Sequence, residues 1–423
     1  MRKTTLLAIL ALAFPAASRA NGYDVPNVNP RDLSMAGSLV AAQQDAAAAY
    51  QNPAALSKLD GLELTVAGSL LDIGTRWKAP ASSDLAGSTA RTRFRPAPPV
   101  SLFAAYGTKL ADRGAGIGLG MNIPAGGNVF WRDDWAGRGR IITVDRKLYG
   151  FYLTGGYEVV PRFVRLGGGV NYIYAREYLK QGIQPDPSAY GELDASGGGF
   201  GYDVSAEITP LPSVPLTIGV DYKHKVTMHL TGDAHFYVPD ALLQPNPTDP
   251  SAAAPVDQGV KHALTYPNIL AVGAAYRPTE PLLVTFGYTF NRYVVYGQDV
   301  FQGDRGTTIA VPRHYGNGST FRVGGEYRVS PRMDLRAGVL RDRSGFDESR
   351  YSPTLPDSDS WAGALGAGWR LREGLAVNAA VFYVWFDRVR QTSDVELQGI
   401  YDTRAWIASL GLDWRTDLAG GAR

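Results

Sequence analysis

From Gly61 onward, apolar and polar residues alternate along this chain with a period of two. In TFRVGGEYRV, residues 320–329, the aromatic and aliphatic residues fall on one face of an extended chain and the charged residues fall on the other. GFGYDVSAEIT, residues 199–209, repeats the pattern. Because successive side chains of a β-strand point to opposite faces, these segments predict strands with one apolar and one polar face. Such strands fit either a soluble sandwich or a membrane barrel whose apolar face meets lipid.

The connections between the strands separate these two folds. We count about fourteen candidate strands, near residues 62–78, 98–107, 113–123, 140–160, 163–179, 193–210, 214–230, 261–277, 280–296, 317–329, 332–341, 360–370, 374–388 and 403–415. Short turns, such as Ser330-Pro331, alternate with loops of roughly 13 to 30 residues that are rich in Pro, Asp, Gly and Ser. This alternation is typical of outer-membrane barrels, which have periplasmic turns and extracellular loops. The sequence therefore predicts an all-β, 14-stranded antiparallel transmembrane β-barrel.

The first twenty residues predict export. Arg2 and Lys3 precede an apolar run from Leu6 to Phe14, and small residues follow up to Ala20, which is the pattern of a secretory signal peptide. The chain has no Cys and a formal net charge of +2. A secreted chain of this length without disulfides relies on its size or on a membrane, and a near-neutral charge gives no footprint for nucleic acid. We expect a multi-pass protein of a Gram-negative outer membrane, surrounded by outer-membrane lipid.

Residues 21–60 do not follow the strand pattern. Ala36 to Ala49 predicts a helix of small residues, which Asn52 and Pro53 end because proline disfavours helical geometry in the residue before it. Such a helix has almost no apolar face with which to build its own core. A barrel of about fourteen strands has a lumen wide enough to hold it. We therefore predict a small helical N-terminal hatch that plugs the barrel, with Asn52-Pro53 turning the chain toward the first strand.

Two blocks of sequence carry a family resemblance. DLSMAGSLVAAQQDAAAAYQNPAAL, residues 32–56, resembles the hatch segment of the FadL family of outer-membrane transporters for long-chain fatty acids and other hydrophobic compounds. Its most specific element is Asn52, Pro53 and Ala54. MDLRAGVLRDRS, followed by YSPTLPDSDSWAGALGAGWR, is similar to a late strand, a Pro-Asp loop and the next strand of that family. The resemblance implies passive uptake by capture between extracellular loops, passage to a lumenal pocket, hatch movement and lateral exit beside a kink of the third strand.

These features divide the sequence into a signal peptide at 1–20, a hatch at 21–60, a barrel at 61–416 and a C-terminal tail at 417–423. Barrels of the family usually end on an aromatic residue, whereas Trp414 is followed here by RTDLAGGAR. We expect a monomer.

The third strand, RGAGIGLGMNIP, places Gly116, Gly118 and Gly120 on one face. Glycine weakens a strand and marks bends or the close approach of another group. Together with the resemblance, this pattern predicts an inward kink and a lateral exit at these glycines. The alternative is that the glycines only make room for the hatch.

The longest loop, residues 229–259, carries HFYVPDALLQP. Its apolar residues predict a surface that captures ligand, because exposed apolar patches mark binding sites; they are Phe236, Tyr237, Val238, Leu242 and Leu243. The alternative is a loop that folds over a small core of its own.

A fatty-acid carboxylate would need a cation in an apolar pocket. The resemblance implies such a contact at Arg313 and His314, because a basic pair precedes the tenth strand in the fatty-acid transporters. Other arginines that alternation places in the lumen, such as Arg336, are expected to pair with Glu326, Asp334 and hatch carboxylates such as Asp45. Long-chain fatty acids are the favoured ligand, and aromatic hydrocarbons are the alternative.

We find no pattern that predicts a catalytic residue, a metal site or a cofactor. His224 and His229, in KHKVTMH, would lie on opposite faces of a regular strand, which argues against a shared metal. No Ser-His arrangement has the context of a nucleophile elbow. A general porin and an outer-membrane lipid hydrolase are therefore the less favoured functions.

Overall fold

A computed structural model describes residues 28–95, 98–183, 186–211, 213–239, 256–295, 297–306, 308–312, 316–345, 351–394 and 396–416. Fourteen strands form one closed antiparallel barrel, so the predicted fold is confirmed. In chain order, β1 to β14 are Gly61–Lys78, Val100–Leu110, Arg113–Phe130, Thr143–Val160, Val164–Gly182, Tyr190–Ile208, Leu216–Lys223 with Val226–Tyr237, Gln258–Tyr266 with Asn268–Thr279, Leu282–Arg292, Gly318–Ser330, Met333–Arg343, Ser360–Arg372, Leu375–Phe386 and Gly399–Thr416. β7 and β8 are each interrupted once and are therefore given as two parts. β14 pairs with β1 and closes the barrel, from Leu62 opposite Thr416 to Lys78 opposite Ile400.

The two faces of the strands lie as the alternation predicts. On β10, Phe321 and Val323 are exposed on the outer surface, while Arg322 and Glu326 are buried on the lumenal side. No helix in the described residues is long and apolar enough to cross a membrane. Strands with an apolar outer face and a polar lumenal face are the pattern of transmembrane barrels.

The two ends of the barrel differ in their connections. At one end the turns are short: β2 joins β3 through Ala111 and Asp112, which adopt positive φ angles of 50° and 60°. At the other end the connections are long and carry four short extra strands, Thr89–Arg91, Gln298–Gly303, Thr308–Pro312 and Val389–Gln391. In outer-membrane barrels the short turns are periplasmic and the long loops are extracellular.

Aromatic side chains lie at two heights on the outer surface. Trp361 and Trp369 both face outward from β12, 54% and 50% exposed. They lie about 20 Å apart along the barrel axis, since each residue of a tilted strand rises roughly 2.5 Å. Trp385 lies opposite Trp361 in the register and belongs to the same outer ring, whereas Tyr293 is buried in an apolar cluster under the extracellular loops.

The segment before the barrel is built from short helical turns. α1 and α2 span Pro30–Ser34 and Ala48–Gln51, and 3₁₀ turns span Leu39–Ala41 and Pro53–Lys58. The prediction of one helix from Ala36 to Ala49 is wrong. Ala36 and Gly37 adopt positive φ angles of 55° and 76°, which end α1 and cannot continue a right-handed helix.

This segment, residues 28–60, fills the lumen, and we call it the hatch. α1 packs against β11 to β14, the first 3₁₀ turn against β7 to β9, and the second against β2 to β6. Polar side chains of the wall satisfy its irregular backbone: Thr154 Oγ1 donates to the Ala49 carbonyl at 3.0 Å, and Ser205 Oγ accepts from the Ala54 amide at 2.9 Å. Because the wall supplies these partners, the hatch does not need continuous helix to pair its buried backbone groups.

Candidate functional site

The Asn-Pro-Ala motif joins two parts of the hatch and fits it to the wall. Asn52 is fully buried, and its side-chain amide donates to the Val40 carbonyl at 2.7 Å. Pro53 begins the second 3₁₀ turn. A Cβ atom added at Gly156 of β4 would lie 2.2 Å from the Pro53 carbonyl oxygen, and one at Gly167 of β5 would lie 2.2 Å from the Ala54 nitrogen. The motif therefore packs so closely against the wall that only glycine fits at the two facing positions of β4 and β5.

Gly116 and Gly118 of β3 face the hatch in the same way. An added Cβ would lie 2.3 Å from the Leu56 carbonyl oxygen at Gly116 and 2.7 Å from the Ala49 Cβ at Gly118. At Gly120 it would meet the ring of Phe103 at 2.6 Å. In this part of β3 the pairing is continuous with both neighbours, β2 and β4. The geometry of the first two positions fits the alternative reading of these glycines, in which they make room for the hatch.

The wall is interrupted farther along β3. β3 pairs with β2 only as far as Met121, opposite Leu102, and a register shift between Asn122 and Ala125 follows. Beyond it β3 pairs with β4 alone, through Phe130. β1 in turn pairs with β2 only as far as Gly68. An opening therefore lies between β1 and β3 in the extracellular half of the wall.

A cavity of about 380 Å³ occupies this opening, which we call the wall opening. Pro98 and Pro99 line it below, and Arg93 borders it above, where its amide donates to the Phe130 carbonyl at 2.6 Å. The cavity is lined both by Arg146, which is buried on the lumenal face of β4, and by Tyr149, which lies on the outer face beside Tyr174. The wall opening therefore reaches both faces of the barrel.

A larger cavity of about 570 Å³ lies among the extracellular loops, and we call it the capture cavity. Its lining is mainly apolar, and among the side chains that form it are Ile141, Leu193, Phe236, Val260, Phe301 and Leu355. Phe236 lines this cavity, although it lies near the end of β7 and not in a loop as the sequence predicted. The neighbouring Tyr237 instead points away and stacks on Tyr190 with ring centroids 4.6 Å apart.

A small cavity in the lumen, of about 120 Å³, links the two larger ones. The lumenal cavity and the capture cavity are both lined by Leu355. Arg146 lines both the capture cavity and the wall opening. The lumenal cavity shares four lining residues with the wall opening, Leu71, Ile73, Gly126 and Asn128. The three cavities thus form a series from the loops to the side of the barrel, above the hatch.

The arginines of the capture cavity are paired with carboxylates of the protein. Arg146 forms an ion pair with Glu177 and lies 4.0 Å from Asp299, and all three side chains are buried. Arg140 contacts Asp394 at 2.9 Å and Glu396 at 3.0 Å. An incoming carboxylate would have to compete with these internal partners.

Ion pairs also connect the hatch to the barrel below the cavities. Arg31 of α1 and Arg336 of β11 both contact Glu326 of β10, at 2.9 Å and 2.7 Å. On the opposite side of the barrel, Lys58 contacts Glu207 at 2.7 Å. The predicted pairing of Arg336 with Glu326 is confirmed.

Several predicted positions lie outside the described residues: Leu242 and Leu243 of the capture loop, and Arg313 and His314 of the carboxylate contact. Val238, also predicted for capture, follows the end of β7 and does not line the capture cavity. The wall opening was missed. Its signal in the sequence is Pro124 followed by Gly126-Gly127, because proline and glycine inside a strand mark a bulge.

The fold and the cavities define an outer-membrane transport barrel plugged by an N-terminal hatch. The sequence profile of the family described as outer membrane protein transport protein (OMPP1/FadL/TodX) matches residues 11–415. The chain belongs to this family, as the resemblance predicted, and it is an outer-membrane protein. The family is one of transport proteins for hydrophobic compounds.

Individual relatives are distant. An outer membrane protein of Neisseria meningitidis is 24% identical over 432 residues, covering 91% of this chain and 90% of its own. A FadL homologue of Pseudomonas aeruginosa superposes with a TM-score of 0.81 at 20% identity, over 93% of this chain and 100% of that chain. The Pseudomonas putida toluene transporter TodX superposes with a TM-score of 0.72 at 14% identity, over 93% of this chain and 99% of that chain. At these identities the structures support the fold.

Proposed function

We propose that this protein carries hydrophobic compounds across the outer leaflet by capture at the loops, passage through the lumenal cavity and lateral release at the wall opening. The observation that carries the proposal is the series of three cavities above a hatch that fills the barrel axis. A hatch that contacts the strands all around leaves the side of the barrel as the nearest way out. Movement down a concentration gradient supplies the driving force, and no catalytic step is needed.

The charges around the capture cavity favour an uncharged ligand. Arg140 and Arg146 are its two lining arginines among the described residues, and each is held by carboxylates at the distances given above. A hydrocarbon gains burial against the apolar lining without disturbing these pairs. A carboxylate would leave one of the protein's own buried carboxylates unpaired, which costs several kcal/mol. Aromatic and other neutral hydrocarbons are therefore the first candidates.

Long-chain fatty acids are the second candidate. Ile309 and Val311 line the capture cavity, and Arg313 and His314 follow them directly in the sequence. A basic pair is the partner that a fatty-acid carboxylate needs, while the alkyl chain would be buried against the apolar lining.

Matched ligands test the function and the ligand class together. Binding to the purified protein and uptake by an outer-membrane host that lacks its own transporter would be measured for oleate against oleyl alcohol and for benzoate against toluene. We expect the uncharged member of each pair to bind more tightly and enter faster. Preference for oleate over oleyl alcohol would instead support fatty-acid transport. Failure of all four compounds to bind or enter would overturn the proposed function.

A substitution tests the release step separately. Ile73 lines both the lumenal cavity and the wall opening, so Ile73→Trp fills the opening and leaves the capture cavity intact. We expect uptake to fall severalfold with unchanged ligand affinity. Leu410→Trp is the matched control, because Leu410 faces outward from β14 and lines none of the three cavities. Normal uptake by Ile73→Trp would rule out release at this opening.

A further inference from the structure

The interruptions of β7 and β8 lie side by side on the barrel wall. β7 breaks at His224 and Lys225, between Lys223, opposite Ile269, and Val226, opposite Tyr266. β8 breaks at Pro267, in the same place. Irregular backbone exposed to lipid is not tolerated inside the hydrocarbon region, because nothing there pairs its polar groups. The double break therefore lies at or beyond the outer edge of the hydrocarbon.

The distance of the double break from the periplasmic end of β7 agrees with this height above the periplasmic side. His224 lies about 20 Å from Leu216, at the periplasmic end of β7, if each tilted residue rises roughly 2.5 Å. Beyond the break, the outward-facing residues of β7 and β8 are mainly polar, such as Thr227, His229 and Lys261, so the apolar band of the outer surface ends there. The double break therefore lies at the level of the lipid headgroups of the outer leaflet.

His224 lies on the outer surface, two residues after Tyr222 on the same face of β7. Its ring stacks on Tyr202 at 4.8 Å with an interplanar angle of 9°, and its Nδ1 lies 3.0 Å from the Tyr222 hydroxyl. The Asn268 amide donates to the same hydroxyl at 2.8 Å. His229, on the far side of the break, is also exposed, so the expectation that the two histidines lie on opposite faces is wrong. The register shift changes which residues point outward.

Two cations flank this group of side chains. Lys225 is exposed in the break itself, and the exposed Arg292 of β9 lies directly opposite Asn268 in the register. Neither forms an ion pair with any carboxylate in the described part of the chain. We call Tyr222, His224, Lys225, Asn268 and Arg292 the headgroup cluster.

Some other exposed cations at the extracellular side of the barrel are paired. Arg176 contacts Asp194 at 3.1 Å, and Arg388 contacts Asp402 at 3.1 Å. Others, such as Lys261, have no ion pair among the described residues. The headgroup cluster combines two cations that lack a carboxylate partner in the described part of the chain with neighbouring hydroxyl and amide groups, at the height of the lipid headgroups.

We propose that the headgroup cluster binds the phosphate groups of lipopolysaccharide, the phosphorylated glycolipid of the outer leaflet. Guanidinium and ammonium groups are the side chains that bind phosphate best, and Asn268 with the Tyr222 hydroxyl adds hydrogen-bonding groups for phosphate or sugar oxygens. Below the cluster, Val204 of β6 and Leu270 of β8 are exposed on the outer surface and provide an apolar surface for acyl chains. The site lies on the outer wall and does not depend on the proposed transport function.

Binding to purified full-length protein in detergent tests the proposal. The probes are lipid A with both phosphates, the same lipid without phosphates, and phosphatidylglycerol, measured by native mass spectrometry. We expect the double variant Lys225→Gln, Arg292→Gln to bind phosphorylated lipid A about tenfold or more weakly, since each basic residue near a charged lipid surface contributes about fivefold. Removal of the phosphates should weaken binding to the wild type by a similar factor.

The double variant Arg176→Gln, Arg388→Gln is the matched control, because it removes the same charge from paired positions. It should bind lipid A like the wild type. Equal loss in the two double variants, or no loss in either, would overturn the proposal. Phosphatidylglycerol that binds as tightly as lipid A and is equally sensitive to Lys225→Gln, Arg292→Gln would show a general anionic-lipid site and overturn the assignment to the glycolipid. Thermal unfolding of each variant shows whether the barrel is intact.

Discussion

Asn52 and Val40 are twelve positions apart in the sequence, and a 2.7 Å hydrogen bond from the Asn52 side-chain amide to the Val40 carbonyl joins them inside the barrel. Both residues are buried. The two 3₁₀ turns of the hatch are therefore fixed to each other through one side chain.

Replacing Asn52 with Ala should loosen the hatch. The Val40 carbonyl would lose its partner, and an unpaired buried acceptor costs about 1–3 kcal/mol. Hydrogen exchange of amides in residues 38–58 should accelerate by roughly tenfold or more, while exchange in the strands stays unchanged. Gln44→Ala is the control, because Gln44 is exposed in the same segment. Unchanged exchange in Asn52→Ala would mean that the wall contacts alone hold the hatch.

Replacing Gly116 with Val should displace the hatch from the wall. The new side chain would enter the space of the Leu56 carbonyl, 2.3 Å from the position of its Cβ. We expect higher ion conductance in planar bilayers, because a displaced hatch opens the lumen. Gly68→Val is the matched control, since no atom lies within 4 Å of a Cβ added there. Normal conductance together with reduced ligand uptake would instead favour the reading of Gly116 as part of a lateral exit.

Phe236 and its neighbour Tyr237 lie on opposite faces of β7, which makes them a matched pair for ligand capture. Phe236→Ala removes apolar surface from the capture cavity and should weaken binding of toluene or oleyl alcohol by about tenfold, equivalent to roughly 1.4 kcal/mol. Tyr237→Ala should leave affinity unchanged. Equal effects of the two substitutions in a binding titration would contradict the assigned cavity.

Glu326 forms ion pairs with two arginines, Arg31 and Arg336. If Arg31 is lost, Glu326 still has Arg336 as a partner, but if Glu326 is lost, both arginines lose their shared carboxylate. Glu326→Gln leaves Arg31 and Arg336 close together without their shared anion, and should cost about 3–5 kcal/mol. Arg31→Gln should cost less, because Glu326 retains Arg336. Denaturant unfolding of the two variants compares these costs, and an equal loss would show that Arg336 does not compensate Glu326.

Asp357, in the extracellular loop between β11 and β12, should make stability depend on pH. Burial raises its pKa to about 7, although Ser344 Oγ donates to it at 2.7 Å. Because the folded protein holds this proton more tightly than the unfolded chain, the stabilisation is complete below about pH 4 and is lost as the pH rises through 7. The free energy of unfolding decreases by a few kcal/mol over this range of pH.

The thermal unfolding midpoint of the wild type should therefore fall between pH 4 and 7 by more than that of Asp357→Asn. Asp60→Asn, at an exposed carboxylate, is the control and should follow the wild type. If the unfolding midpoints of the wild type and of Asp357→Asn depend equally on pH, the Asp357 carboxyl is not protonated in the folded protein.

The regular parts of this molecule could be predicted from the sequence, and the irregular parts could not. Phe321 and Arg322 fix the two faces of β10 because side-chain direction in a strand depends only on position. The hatch differs, since the conformation at Ala36 and the pairing of Ala54 with Ser205 depend on a wall more than a hundred residues away in sequence.

The same distinction holds for the candidate site. Phe236 could be singled out because a large apolar residue in a segment predicted to be a loop is informative by itself, although the residue lies in β7. Leu355 and Ile73 could not be, because each belongs to the site only through cavities formed by several loops and strands. The outward direction of His229 depends on the break in β7, which a strict alternation in the sequence does not reveal.

The wall opening exposes main chain where lipid offers no hydrogen-bond partners. Pro98 and Pro99 form its lower border, and neither has an N–H group, so this stretch presents fewer donors that must find an acceptor. The Pro99 carbonyl is itself paired with the Ser69 amide at 2.9 Å. The lower border of this side entrance thus presents little unpaired main chain to the membrane, because two of its residues have no N–H group and a carbonyl there already has a partner.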